Sequence, residues 1–177
     1  NAVLAFAISS LKVRHIVVLG HYGCGGIANS MMMPNPGSDS MMPNQGSVQD
    51  SILPTPTAEA AVQRWIQPVR ELYEMSLRPE IIAHREKAKM EPLIELPGIR
   101  EPAFRALIEE NLKLNVKKVA NSRVIQEVQQ EPEQDVFIHG WIYDMESGRV
   151  FDLGVSVGPP GREVPRSPFP LVGSSQV

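Results

Sequence analysis

The chain of 177 residues has one cysteine, Cys24, so an internal disulfide is excluded and a reducing compartment fits. No apolar run approaches the roughly 20 residues that a membrane-spanning helix needs, and no membrane partner is expected. A basic excess is also missing. Lys and Arg number 17 against 20 Asp and Glu, for a formal net charge of −3, and the charges are scattered rather than blocked. Without a basic face, nucleic acid is not an expected partner. Residues 2–8 are apolar but lack a basic stretch before them and a cleavage site after them, so they are not expected to act as a signal peptide. The expected compartment is the cytoplasm, with the mitochondrion as the alternative.

The length suits one ordinary domain with a real core. Its most informative stretch is Gly20-His21-Tyr22-Gly23-Cys24-Gly25-Gly26, directly after His15-Ile16-Val17-Val18-Leu19. Four apolar residues in a row, without a charge, predict a strand buried on both faces, as central parallel strands are. A glycine-rich turn at the carboxyl end of such a strand is where open α/β sheets place their ligands. Here the turn carries an imidazole and the thiol three positions apart, both good donors for zinc.

Spacing removes several other chemistries. A phosphate loop needs Lys and then Ser or Thr after its last glycine, whereas Ile27 and Ala28 follow Gly26. A cysteine phosphatase needs Arg six residues after its nucleophile, where this chain has Ser30. The glycines do not have the one-three-six arrangement of a dinucleotide fingerprint. A Cys24–His21 nucleophilic pair stays open, although no nearby residue stands out to orient the imidazole. A catalytic zinc needs three protein donors and a water. His21 and Cys24 supply two, and His15, His84 and His139 are poorly placed to add a third. The remaining donor is expected upstream of Asn1, where the chain opens without Met in a helical pattern.

Residues 2–13 predict a helix with Leu4, Ile8 and Leu11 on one face. Residues 29–56 hold Pro34, Pro36, Pro43, Pro54 and Pro56, five methionines and no Lys or Arg. Paired methionines can bind copper(I), but without spaced Met-x-x-Met or accompanying His this segment reads as a flexible surface insertion. Thr55-Pro56 predicts the cap of a helix whose stripe is Val62, Trp65, Ile66, Val69, Leu72 and Tyr73, kinked or split at Pro68. Residues 79–90 predict a charged, solvated helix with His84 at the surface. Residues 103–120 predict a long amphipathic helix striped by Phe104, Leu107, Ile108, Leu112, Val116 and Val119. A short continuation is expected after Ser122 as cap. Strands at 135–144 and 150–155, joined by a turn at Glu146-Ser147-Gly148, close the chain as a hairpin, with His139 and Trp141 assigned to packing. The fold class is α/β, a mostly parallel sheet flanked by helices and ending in an antiparallel edge hairpin. Residues 1–157 form the expected domain and 158–177 a loose tail.

Residues 11–26, Leu11-Lys12-Val13-Arg14-His15 onward through Gly26, resemble the second zinc-binding segment of β-class carbonic anhydrases. Glu110-Asn111-Leu112 with Val116, Val119, Ser122 and Ile125-Gln126 is similar to the long helix before the last parallel strand of that family. His139-Gly140-Trp141-Ile142-Tyr143-Asp144, with Gly148 and Asp152-Leu153-Gly154, is similar to its closing hairpin. The helix from Trp65 to Tyr73 resembles fungal or other eukaryotic members. The resemblance implies reversible hydration of carbon dioxide to bicarbonate at Zn2+, in a homodimer or higher homo-oligomer. It implies that His21 and Cys24 are two zinc ligands, that Gly25 and Gly26 let backbone approach the metal-bound ligand, and that Tyr22 packs beside the site. The family's first Cys and its Asp–Arg pair occupy a Cys-x-Asp-x-Arg segment that has no match here. The chain is thus expected to be a fragment lacking the N-terminal part, with no catalytic residue of its own. A scaffold or binding module that keeps the fold, or a thiol hydrolase using Cys24, are the alternatives.

Overall fold

Apolar residues two apart, close to a second strand of the same kind, settle the sheet. The computed structural model describes residues 2–32, 58–91, 95–130 and 134–165. In order these form α1 (Ala2–Ser9), β1 (His15–His21), α2 (Gly25–Ser30), α3 (Ala58–Met75), α4 (Pro79–Met90), α5 (Pro102–Ala120), α6 (Arg123–Val128), β2 (Phe137–Asp144) and β3 (Arg149–Val157). The described residues gather into two compact units, one within Asn1–Cys24 and Arg105–Val177, the other within Gly25–Phe104.

The first unit is built on a sheet in the order β1-β2-β3. β1 runs parallel to β2 from His15 opposite Phe137 to His21 opposite Tyr143. β3 is antiparallel to β2, with a bulge after Gly140. The α/β class, with a parallel pair and an antiparallel closing hairpin, is therefore observed. Ile8 of α1, Val116 and Ala120 of α5, Ile125 of α6, and Val136 and Ile138 are buried together, with Ile16, Val18 and Val155 packed against them. Full burial of each large aliphatic side chain contributes about 1.5–3 kcal/mol.

One expectation for β1 is corrected. Among the described residues β1 pairs only with β2, so it lies at the sheet's edge. Its Ile16, Val18 and Gly20 face is partly covered, while Val17 and Leu19 on the other face are 38% and 60% exposed. An unbroken apolar run does not distinguish a strand covered on both faces from one covered on a single face. The first helix also ends earlier than expected, at Ser9. Lys12 adopts φ 55°, in the left-handed region, which turns the chain toward β1 and leaves Leu11 exposed.

Other boundaries follow from local chemistry. α4 matches the predicted span, with Pro79 at its first position, where a missing N–H costs nothing. The buried Leu107, Ile108, Leu112 and Val116 confirm the predicted stripe of α5. Ser122 does occupy the N-cap of α6, but its hydroxyl makes no capping bond. α3 continues through Pro68 as one helix, so of the expected kink or split the split does not occur. The expected cap at Thr55 and most of the expected 29–56 insertion lie outside the described residues. Ser30 still belongs to α2, and Met31 beyond it is buried. The start of the expected tail is tied down: Pro159 is buried and Arg162 Nε lies 3.3 Å from Asp135 Oδ1.

Two buried histidines organise polar contacts. In the second unit His84, expected at the surface, is 6% exposed. Glu101 Oε1 lies 3.2 Å from its Nε2, and the Tyr73 hydroxyl lies 2.7 Å from its Nδ1. A carboxylate accepts, so Nε2 carries the proton and the tyrosine donates to Nδ1. A helical stripe calculated from apolar residues alone misses such a residue, because its burial depends on a partner in another element. The adjacent Arg85 donates to the carbonyls of Tyr73, Glu74 and Ser76 at the end of α3, satisfying acceptors that the helix leaves open. In the first unit His139 is 3% exposed, with Nε2 2.9 Å from His15 Nδ1 and Nδ1 3.0 Å from Ser156 Oγ.

Burial holds the His84 imidazole below its ordinary pKa, and Lys87 acts in the same direction, while Glu101 opposes them without prevailing. Burial and then the charge of His15 lower His139 likewise, with Asp152 opposing. Both groups bind protons more readily in the unfolded chain, so stability is expected to be level above roughly pH 6.5 and to fall as pH drops below it. Urea unfolding across that range checks this, and His84→Gln is expected to flatten the slope. At the sheet's centre, a Cβ on Gly140 would lie 2.5 Å from Val155 Cγ2 and 3.0 Å from Val116 Cγ2. Gly140→Ala is expected to destabilise the fold by about 1–3 kcal/mol, measured by the same unfolding experiment.

Candidate metal centre

β1 delivers His21 as its last residue, in register with Tyr143 of β2. The ladder extends one step further, since the Tyr22 N–H donates to the Tyr143 carbonyl at 2.9 Å. Gly23 then adopts φ 81°, a conformation that a side chain would strain, and the chain turns. Cys24 follows, half-buried, and α2 begins at Gly25. The His21 side chain sits on the exposed face of β1.

One hydrogen bond determines which nitrogen of His21 is available. Nδ1 lies 3.2 Å from the Tyr22 carbonyl oxygen, which can only accept. Nδ1 therefore carries the proton, and Nε2 has its lone pair free for a metal or a proton. Metal-binding histidines are commonly oriented in this way through the ring nitrogen that does not bind. The same tautomer would suit a Cys–His pair, but no His21–Cys24 hydrogen bond joins the two side chains among the described residues.

Tyr22 is 6% exposed and packs beside this turn. Its hydroxyl donates to Glu109 Oε1 at 2.8 Å, and the Arg105 guanidinium lies 3.4 Å above its ring centroid. Burial, followed by Glu109, pushes the phenol up to about 12, against an opposing influence from Arg105. Arg105 Nη2 also lies 3.7 Å from Asp144 Oδ2 at the end of β2. Two backbone N–H groups, of Glu146 and then Ser147, lower the Asp144 carboxyl, with Arg105 adding to the effect.

An imidazole with a free Nε2 and a thiol on a glycine turn match the donor chemistry of zinc. Their number does not complete a site: among the described residues no three His, Cys, Asp or Glu are grouped to hold a metal. Among the described residues none comes within 4 Å of where a Cβ on Gly25 would be. At Gly26 a Cβ would come within 2.8 Å of the Trp65 ring, so the packing of Trp65 is by itself sufficient reason for a glycine there.

A family model described as carbonic anhydrase matches residues 1–150. The chain belongs to the carbonic anhydrase family. It is 26% identical over 154 residues to a carbonic anhydrase of Emericella nidulans, covering 87% of this chain and 51% of that protein. A β-carbonic anhydrase structure from the fungal pathogen Aspergillus fumigatus is 26% identical with a TM-score of 0.52, over 87% of this chain and 55% of that one. Tetrameric β-carbonic anhydrases of Sordaria macrospora share the fold at 21% identity and a TM-score of 0.53, over 88% of this chain and 60% of theirs. The family resemblance seen in the residues, and its β class, are thus supported by independent comparisons. This carbonic anhydrase chain spans about half the length of the Emericella nidulans relative.

The structure places His21 and Cys24 on the glycine turn that sequence reasoning singled out, and Tyr22 packs beside it as expected. Sequence reasoning missed Arg105 and Glu109, whose four-residue spacing on α5 was the one local signal that they share a helix face. With two donors of the right kind and no grouped third among the described residues, the 177-residue chain alone is expected to bind zinc weakly or not at all. Competition against a colorimetric zinc indicator checks this; tight one-to-one binding would contradict it.

Proposed function

We propose that this chain carries two of the three protein ligands of a β-class carbonic anhydrase zinc ion, His21 and Cys24. The remaining ligand and the Asp–Arg pair come from outside these 177 residues. On this reading the complete protein interconverts carbon dioxide and bicarbonate. The observation that supports it most is the pairing of a thiol with an imidazole whose Nε2 is left unprotonated, on the glycine turn that ends β1 in a chain of this family.

Zinc, when bound, lowers the pKa of its water from about 15.7 to about 7, which makes hydroxide available at neutral pH. The chain's own residues supply the setting. His21 offers Nε2 while its Nδ1–H is held by the Tyr22 carbonyl. Cys24 offers the one thiol of the chain. Gly25 and Gly26 are proposed to let carbon dioxide and bicarbonate approach backbone at the start of α2, and the space that the described residues leave at Gly25 supports this. Assembly as a homodimer or higher homo-oligomer is proposed on the tetrameric state named for the Sordaria macrospora proteins. A cytoplasmic location is proposed on the low cysteine content. No helix among the described residues is long and apolar enough to cross a membrane.

Stopped-flow carbon dioxide hydration with elemental analysis of the full-length product tests the proposal. Zinc near one equivalent per chain and rapid hydration are expected, with Cys24→Ala reducing hydration to the uncatalysed rate. Full-length protein without zinc or activity would instead support a scaffold module.

A further inference from the structure

We propose that Tyr22 is a positioning residue for His21, and that Arg105 and Glu109 of α5 form the clamp that holds it in that role. The proposal rests on the reading of His21 as a metal ligand. It concerns how the ring reaches the right tautomer before any metal arrives.

The His21 ring is bonded to the carbonyl of the very next residue. The orientation of the Tyr22–Gly23 peptide therefore sets which imidazole nitrogen is protonated. A peptide followed by glycine is easily reoriented, because glycine accepts backbone angles of either sign. Tyr22 removes that freedom. Its N–H is tied to the Tyr143 carbonyl, its hydroxyl to Glu109, and its ring lies beneath the Arg105 guanidinium. Arg105 is itself directed by Asp144, the residue after Tyr143. Simple packing would need only a phenyl ring. A carboxylate acceptor for the hydroxyl and a cation on the ring face fix both the depth and the rotation of the side chain.

The clamp reaches this turn because of how α5 crosses the sheet. Val116 lies over Gly140, and Leu112 lies over Gly20, 3.5 Å from where a Cβ would stand. Gly140 pairs with Val18, so the two contacts are two residues apart along β1. Two strand residues rise about 6.6 Å and four helix residues about 6 Å, so helix and strand keep step. The next turns of α5 toward its N-terminus extend beyond the end of β1. They carry Glu109 and Arg105, which share a face and meet Tyr22.

Nitrogen-15 correlation spectra of the imidazoles, recorded on the metal-free chain above the range in which histidine titrates, test this directly. The chain has only four histidines. Wild-type His21 is expected in the Nδ1–H form. Glu109→Leu is expected to lower the ratio of Nδ1–H to Nε2–H by roughly tenfold, about the worth of one hydrogen bond, while Glu109→Gln, which still accepts, stays near wild type. If Glu109→Leu does not fold, Tyr22→Phe keeps the ring and removes only the hydroxyl, with the same shift expected. A wild-type Nε2–H form, or an unchanged Nδ1–H signature in a folded Glu109→Leu or Tyr22→Phe chain, overturns the proposal. Millimolar zinc separates the two readings. In the full-length protein, a change at His21 Nε2 on adding zinc supports its role as ligand, while zinc bound with no change there, alongside the expected tautomer shift, leaves the clamp standing and removes the ligand role.

Discussion

The parallel ladder between β1 and β2 is the constraint from which the other features of the first unit follow. It joins segments more than a hundred residues apart and sets their carboxyl ends side by side, His21 against Tyr143. Parallel strands cannot be linked by a tight turn, so the long connection between them must return through helices. α5 is the last long helix of that connection, and it packs on the face that Ile138 and Val18 share. Strand order, helix placement and the position of the His21–Cys24 turn are thus consequences of one pairing.

Two glycines in this ladder have a packing role. Gly140 lies beneath Val116, where a side chain would push α5 away from the sheet, and Gly20 lies beneath Leu112, where a Cβ would just reach ordinary contact at 3.5 Å. Close approach is what brings Arg105 and Glu109 within reach of Tyr22. The turn at His21–Cys24 is therefore stabilised from below by backbone hydrogen bonds and from the side by a charged pair on one helix. Both supports are independent of a metal, so the orientation of His21 is a property of the fold.

The two units use buried imidazoles in the same way. His84 bridges Tyr73 and Glu101, and His139 bridges His15 and Ser156, each with both ring nitrogens engaged. A buried imidazole that serves two partners is held neutral by its surroundings and fixes the spacing of the elements it joins. These two histidines are structural, in contrast to His21, whose second nitrogen meets no hydrogen-bond partner among the described residues.

The sequence by itself determined the parts that depend on local pattern. The 3.6-residue stripe defined α5, the Pro79 start defined α4, the Gly148 turn defined the hairpin, and the glycine turn after an apolar run identified His21 and Cys24. Each is a short-range property, readable because the residues that cause it are neighbours in the chain. Burial of His84, exposure of Val17 and Leu19, and the Arg105–Tyr22–Glu109 contact were decided only by tertiary structure. Each depends on what lies opposite a residue across a gap of many positions. A helical stripe records which side chains are apolar, and it carries no information about a polar side chain that another element will satisfy. An apolar strand likewise records its own composition but not how many of its faces acquire a neighbour.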